Sequence, residues 1–285
     1  MNVDESDESP DAILSFQRDD PERMVGLPAG RFTNPHHVTM LIGAMLITTG
    51  IYFLFVKFPN NVVSQSFTQR GIVPGPILFL SIWGLLILGV KYLKLRFQRR
   101  ALDVKISPDD PTFKVSPATV NGLIDRIDVL IDKPSDFVLF NRIRMALANL
   151  RNMRQIGDVR ATLDSQAETD EAMFDSGYSI LRGIIWAVPM LGFIGTVLGL
   201  SQAIGAFSGV LSASAEIDQL KPALQQVTTG LGVAFETTLQ GLVAALLLHM
   251  LLTFLKRAEE DFLDRCKEYC QIRIVSRLRL IEEEN

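Results

Sequence analysis

Glu236 is the only charged residue between Lys221 and Lys256, and Thr237 and Thr238 follow it directly. Thr196 lies in a second uncharged stretch, from Gly183 to Ala215. A carboxylate within a membrane span costs several kcal/mol unless it meets water, a partner or a proton. A mid-span hydroxyl either bonds its own helix backbone or lines a wet path. The chemistry these four side chains could do is ion passage, with one titratable group and hydroxyls that donate and accept. No nucleophile elbow, P-loop, zinc or dinucleotide motif accompanies them, and Gly230-Leu-Gly232 lacks the third glycine of a phosphate fingerprint. Cys266 and Cys270, the only cysteines, stand four apart with no histidine nearby to complete a tetrahedral site. They are expected to be reduced thiols. The expectation is a chain that is not an enzyme and holds no metal or cofactor.

The elements that must position these residues are helices. Each of these two stretches exceeds the ~20 residues that cross a bilayer at ~1.5 Å rise. Both are rich in Gly, Ala and Thr, small residues that let helix backbones approach. In the third span Gly192, Thr196, Gly199, Ala203 and Ala206 share a face, and Gly195 and Gly199 form a GxxxG pair beside it. Pro189 removes one backbone bond from that helix. In the fourth span Gly230, Ala234, Thr237, Gly241 and Ala244 form a close-packing stripe. Thr229, Val233, Glu236 and Gln240 form a second stripe, and Thr238 points in a third direction. The polar residues of this span therefore do not all face one lumen. His249, near the far end, is expected to make an interfacial or inter-helix hydrogen bond.

Of 285 residues 48% are hydrophobic, and they fall into four blocks with the charges between them, the pattern of an integral membrane protein. Val38–Val56 is the first span, broken by Pro59-Asn-Asn61 and followed by a polar loop to Gly71. Pro74-Gly-Pro76 opens the second, which runs to about Tyr92. Basic residues cluster after the second span (Lys91, Lys94, Arg96, Arg99, Arg100) and after the fourth (Lys256, Arg257, Arg265, Lys267). Such clusters mark the cytoplasmic side, so both termini are expected in the cytosol with two short loops outside. The net charge of −4 carries no nucleic-acid footprint.

The organisation expected is a disordered acidic tail over 1–35, two spans over 36–95, and a cytosolic helical insertion over 96–182. A pore-forming helix pair over 183–256 and a helical cytosolic tail over 257–285 complete it. Within the insertion, Ser116-Pro117 reads as a helix start. Phe137–Ile156 reads as an amphipathic helix whose Arg142, Arg144, Arg151 and Arg154 form a solvated face. Asp158–Arg182 is expected to run unbroken into the third span. The fold class is all-α: four transmembrane helices, a helical cytosolic insertion and a helical C-terminal tail.

Two motifs carry a resemblance. Pro189-x-x-Gly-x-x-Gly-Thr-Val-x-Gly199, followed by Thr237-Thr-x-x-Gly-Leu-Val-Ala-Ala245, resembles the MotA/TolQ/ExbB proton-channel family over Ile184–Phe254. The resemblance implies a bacterial inner-membrane ring subunit, a homo-oligomer of five copies. Such a ring surrounds a single-span partner of the ExbD, TolR or MotB type, whose membrane Asp passes protons, or sodium ions, along the ring's threonines. Matched motif to motif, Thr196 and Thr238 take the places of those threonines. Two features depart from the pattern. Four spans are MotA-like while the motifs are ExbB/TolQ-like, and the carboxylate common in ExbB-type chains falls at Val233, one turn before Glu236. The other reading of the residues is a non-conducting helical membrane scaffold.

Overall fold

Long runs of Leu, Ile, Val, Phe and Ala without interior charge leave the backbone one way to satisfy itself in lipid, the α-helix. The computed structural model describes residues 14, 15, 22, 30, 32–106, 114–116, 119–148, 156–212 and 217–278. Among these, four helices are long and apolar enough to cross a membrane, with mean hydropathy of 1.9 to 2.0 over their most apolar stretches. The protein is an all-α integral membrane protein. The chain divides into two units: residues 37–88 with 179–254, and residues 1–36 with 89–178 and 255–285.

The first unit holds the span residues. Helix α1 (His37–Lys57) buries only Met40, Ala44 and Thr48, one stripe at every fourth residue, and leaves Ile42, Leu46, Phe53 and Leu54 exposed. An exposed apolar face on a helix of this length fits lipid or another chain. The following polar stretch, expected to be a loop, contains a short helix, α2 (Val62–Thr68), because Asn61 caps it: Asn61 Oδ1 accepts from Val63 N at 3.3 Å. Ser64 Oγ donates to Phe55 O at 2.8 Å, and the Phe55 and Phe67 rings stack 5.7 Å apart, holding α2 against α1. Gly71 then turns the chain with φ +86°, a left-handed value that suits glycine. Helix α3 (Pro74–Arg99) passes the expected end near Tyr92 by about two turns.

Helices α7 (Ser179–Ser212) and α8 (Ile217–Arg273) carry the third and fourth spans. At ~1.5 Å per residue the 57 residues of α8 extend ~86 Å, nearly three times the ~30 Å hydrocarbon thickness. Its segment from Lys256 onward is charged at roughly every second position, so it lies outside the hydrocarbon.

The second unit is a helical body with two very short strands. Helices α4 (Val120–Leu130), α5 (Val138–Ala148) and α6 (Ile156–Ser176) pack with the ends of α3 and α8 around Phe97, Phe137, Phe140, Ile143, Leu147 and Phe262. Gln98, wholly buried, receives Val138 N at the start of α5 and donates to Asp136 O. Strand β1 (Leu14–Ser15) pairs in parallel with β2 (Ile131–Asp132). Most of the 1–35 tail expected to be disordered lies outside the described residues.

Two sequence expectations change here. Arg142 is not on a solvated face: it is 1% exposed and donates through Nε and Nη2 to Asp170 Oδ2 at 3.0 and 2.8 Å. Its neighbour Arg144 stays half-exposed, 3.6 Å from Asp128, while Arg151 and Arg154 lie outside the described residues. Helix α4 runs from Val120, four residues after Ser116, whose carbonyl accepts from Thr119 N and, in the register of a first helical turn, from Val120 N; residues 117–118 lie outside the described residues. The helix expected to run unbroken through Arg182 is interrupted at Gly177 and Tyr178. A Cβ on Gly177 would collide with the Asn34 side chain, and Tyr178 turns inward, its hydroxyl donating to Glu259 Oε2 at 2.6 Å.

Among its described residues the same body buries four further charges. Lys91 Nζ lies 3.2 Å from Glu259 Oε1, 3.2 Å from Asn34 Oδ1 and 4.3 Å above the Tyr178 ring. Lys94 Nζ meets Glu22 Oε2 at 2.5 Å and donates to Gly30 O, while Glu22 also accepts from Gly30 N and His36 N. All four are at most 2% exposed. Two of the basic residues counted after the second span are thus internal ion-pair partners, not free surface charge.

Candidate functional site: a hydroxyl pair between two glycine-lined helices

The small residues of α7 and α8 meet at backbone distance. A Cβ on Gly199 would lie 2.6 Å from Gly230 O, and one on Gly230 would lie 2.7 Å from Gly199 O. Gly241 stands 2.9 Å, by the same measure, from Val188 O, the carbonyl preceding Pro189, and Gly192 stands 3.0 Å from Thr237 O. Gly195 leaves the space that the Thr237 side chain fills. The glycines therefore serve the contact between two helices of one chain, where any larger side chain would force the backbones apart.

That approach decides where each expected polar residue goes. Thr237 is sealed within the contact, 0% exposed, and donates back to its own helix at Val233 O (2.9 Å). Thr196 and Thr238 come together at the half-buried edge of the seam, hydroxyl against hydroxyl. Thr196 Oγ1 lies 3.3 Å from Gly192 O and 3.4 Å from Ala234 O, and Thr238 Oγ1 lies 3.1 Å from each of the same two carbonyls. Two hydroxyl protons face two carbonyls and each other's oxygens. The pair can exchange donors among these acceptors without losing a bond, and lone pairs on both oxygens stay available to a further donor. Around it Phe193, Val197, Phe235, Leu239 and Leu242 are exposed on the isolated chain.

Glu236 does not join them. Its carboxylate is taken by Arg70, with Nε 2.8 Å from Oε2 and Nη2 2.8 Å from Oε1. Gln240, one turn on, donates to Ser66 O at 3.4 Å. The stripe separate from Thr238 thus faces the connection between the first two spans. Sequence reasoning missed Arg70, although the signal was present: a lone arginine just before one span and a lone carboxylate within another are complementary. His249 is exposed on the isolated chain.

Outside the spans, Cys266 and Cys270 are free and buried beside the Arg142–Asp170 pair. Burial pushes both thiols up, Cys270 to about 12, against the opposing pull of Arg142. Among the described residues no group of His, Cys, Asp and Glu could hold a metal ion.

Residues 131–268, from β2 through the charged part of α8, match the MotA/TolQ/ExbB proton channel family. The chain is also 28% identical over 202 residues to a Synechocystis sp. protein described as the biopolymer transport protein ExbB-like 1, covering 70% of this chain and 73% of that one. No solved structure matches the chain. Over residues 131–268, the segment that carries both the glycine seam and the hydroxyl pair, this chain is similar to the MotA/TolQ/ExbB proton channel family.

Proposed function

We propose that the chain is the ring subunit of an inner-membrane ion-driven motor, which couples proton (or sodium) flux to movement of a single-span partner. The observation that carries this reading is the Thr196–Thr238 pair. Its hydroxyls can change donors in place, and its carboxylate neighbour is already occupied by Arg70. A relay needs a titrating group inside the membrane, and among the described span residues Glu236, the one carboxylate, is neutralised. The group therefore comes from a partner of the ExbD, TolR or MotB kind bearing a membrane Asp, set against the exposed apolar faces of several copies of α7 and α8. Five copies and cytosolic termini complete the reading. Thr196→Val and Thr238→Val, which keep shape and remove the hydroxyl, test it through partner-dependent ion flux.

A non-conducting scaffold is the second reading, and one observation favours it: each hydroxyl also lies within bonding distance of the i−4 carbonyl of its own helix, as packing threonines do. The same two variants separate the readings, since a threonine that only back-bonds is dispensable.

A further inference from the structure

Helix α2 is held from two sides. On one, Ser64 donates to Phe55 O, Tyr52 Oη donates to Phe67 O at 3.3 Å, and the Phe55 and Phe67 rings stack. On the other, Arg70 grips Glu236 through two nitrogens and Gln240 reaches Ser66 O. Arg70 also reaches Gly232, one turn before Glu236: a Cβ there would lie in van der Waals contact, 3.7 Å from Arg70 Nη1. The arginine side chain thus lies along the Gly232–Glu236 face of α8, and a seven-residue helix braces the first span to the fourth.

We infer that Arg70 is a positioning residue: with Glu236 it locks this brace onto α8 and so fixes the helix that presents Thr238, while Glu236 carries no transported ion. One hydrogen bond, from Arg70 Nη2 to Glu236 Oε1, and an ion-pair contact of 2.8 Å between Nε and Oε2 support this, because a charge-assisted bond restrains orientation as well as charge. Both partners keep about a third of their side chains exposed, 31% and 37%. The pair is therefore solvated enough to be a modest clamp whose strength is comparable to other half-exposed pairs. Thr238 lies two residues beyond Glu236, so a roll of α8 that follows loss of the clamp moves its hydroxyl off Thr196.

The flux part of the inference rests on the channel reading; the brace does not, and the test keeps them apart. Arg70→Gln, Glu236→Gln, the double variant and the reversed pair Arg70→Glu/Glu236→Arg are co-expressed with an Asp-bearing single-span partner, and ion flux is measured across pH. In parallel, each change is placed on a Gln240→Cys background, reconstituted, and labelled with maleimide. Each single change is expected to lower flux about five-fold, the scale of a half-exposed ion pair. The double variant is expected to be no worse than either single, since both remove one shared interaction. The reversed pair should return to within about two-fold of the parent, all with the parental pH profile. Labelling at position 240 should quicken in the single variants and slow again in the reversed pair. Abolished flux or a displaced pH midpoint in Glu236→Gln, with Arg70→Gln near parental, makes Glu236 an ion carrier and overturns the inference. Parental labelling in both single variants overturns the brace. If the parent itself conducts nothing, the channel reading fails while labelling still decides the brace.

Discussion

Thr196 and Thr238 meet hydroxyl to hydroxyl across α7 and α8, and they share the same two carbonyl acceptors, Gly192 O and Ala234 O. The two threonines come from motifs 42 positions apart. They meet because Gly192, Gly195 and Gly199 on one helix, and Gly230 and Gly241 on the other, remove the side chains that would hold the backbones apart.

That dependence sets an order among glycine substitutions. Gly199→Ala and Gly230→Ala place a methyl against backbone and should destabilise by about 1–3 kcal/mol each. Gly183→Ala and Gly205→Ala, where nothing lies within 4 Å, should be neutral or mildly stabilising. Thermal unfolding in mild detergent ranks the four. Equal effects would show that the seam is looser than described. Gly195→Leu should separate α7 from α8 within one chain, so a lost oligomer would follow from a damaged subunit.

In the extramembrane body, Asp170→Asn leaves Arg142 buried without its counter-charge and should cost about 3–5 kcal/mol. Asp128→Asn, at a half-exposed pair with Arg144, should cost about 1 kcal/mol or less. Denaturant titration of the two variants checks the contrast, and comparable losses would contradict the burial of Arg142.

Cys266 and Cys270 should resist alkylation at neutral pH. The thiolate is the reactive form, and burial holds both thiols protonated, with Cys270 pushed up to about 12. Iodoacetamide should modify neither in the native protein and both after denaturation. Rapid labelling of the native chain would show the body opening around α8.

Much of the fold was legible in the sequence. Span existence follows from length and apolarity, and the small-residue stripes follow from helical spacing, so Gly230, Ala234 and Thr237 could be placed on one face without coordinates. What was not legible depended on long-range partners. Arg142 looked like surface until Asp170, 28 residues away, claimed it, and the pairing of Glu236 with Arg70 joins residues 166 positions apart. The close approach of the Asn34 side chain to Gly177, at the break, was invisible because Asn34 is far off in sequence. The two-residue β pairing of Leu14–Ser15 with Ile131–Asp132 is too short to leave a period.

Whether the hydroxyl pair carries ions or merely packs is the central question. Val has nearly the shape of Thr without the hydroxyl, and taking a polar group out of a dry constriction raises the barrier to an ion. The most direct measurement is partner-dependent ion flux in the parent, Thr196→Val, Thr238→Val and the double variant, at matched membrane levels and oligomer size. The expected result is a loss of at least ~10-fold in each single variant, the effect of about 1.4 kcal/mol on a barrier, with unchanged assembly. Flux equal to the parent in both single variants would contradict the ion path and leave the threonines as packing residues.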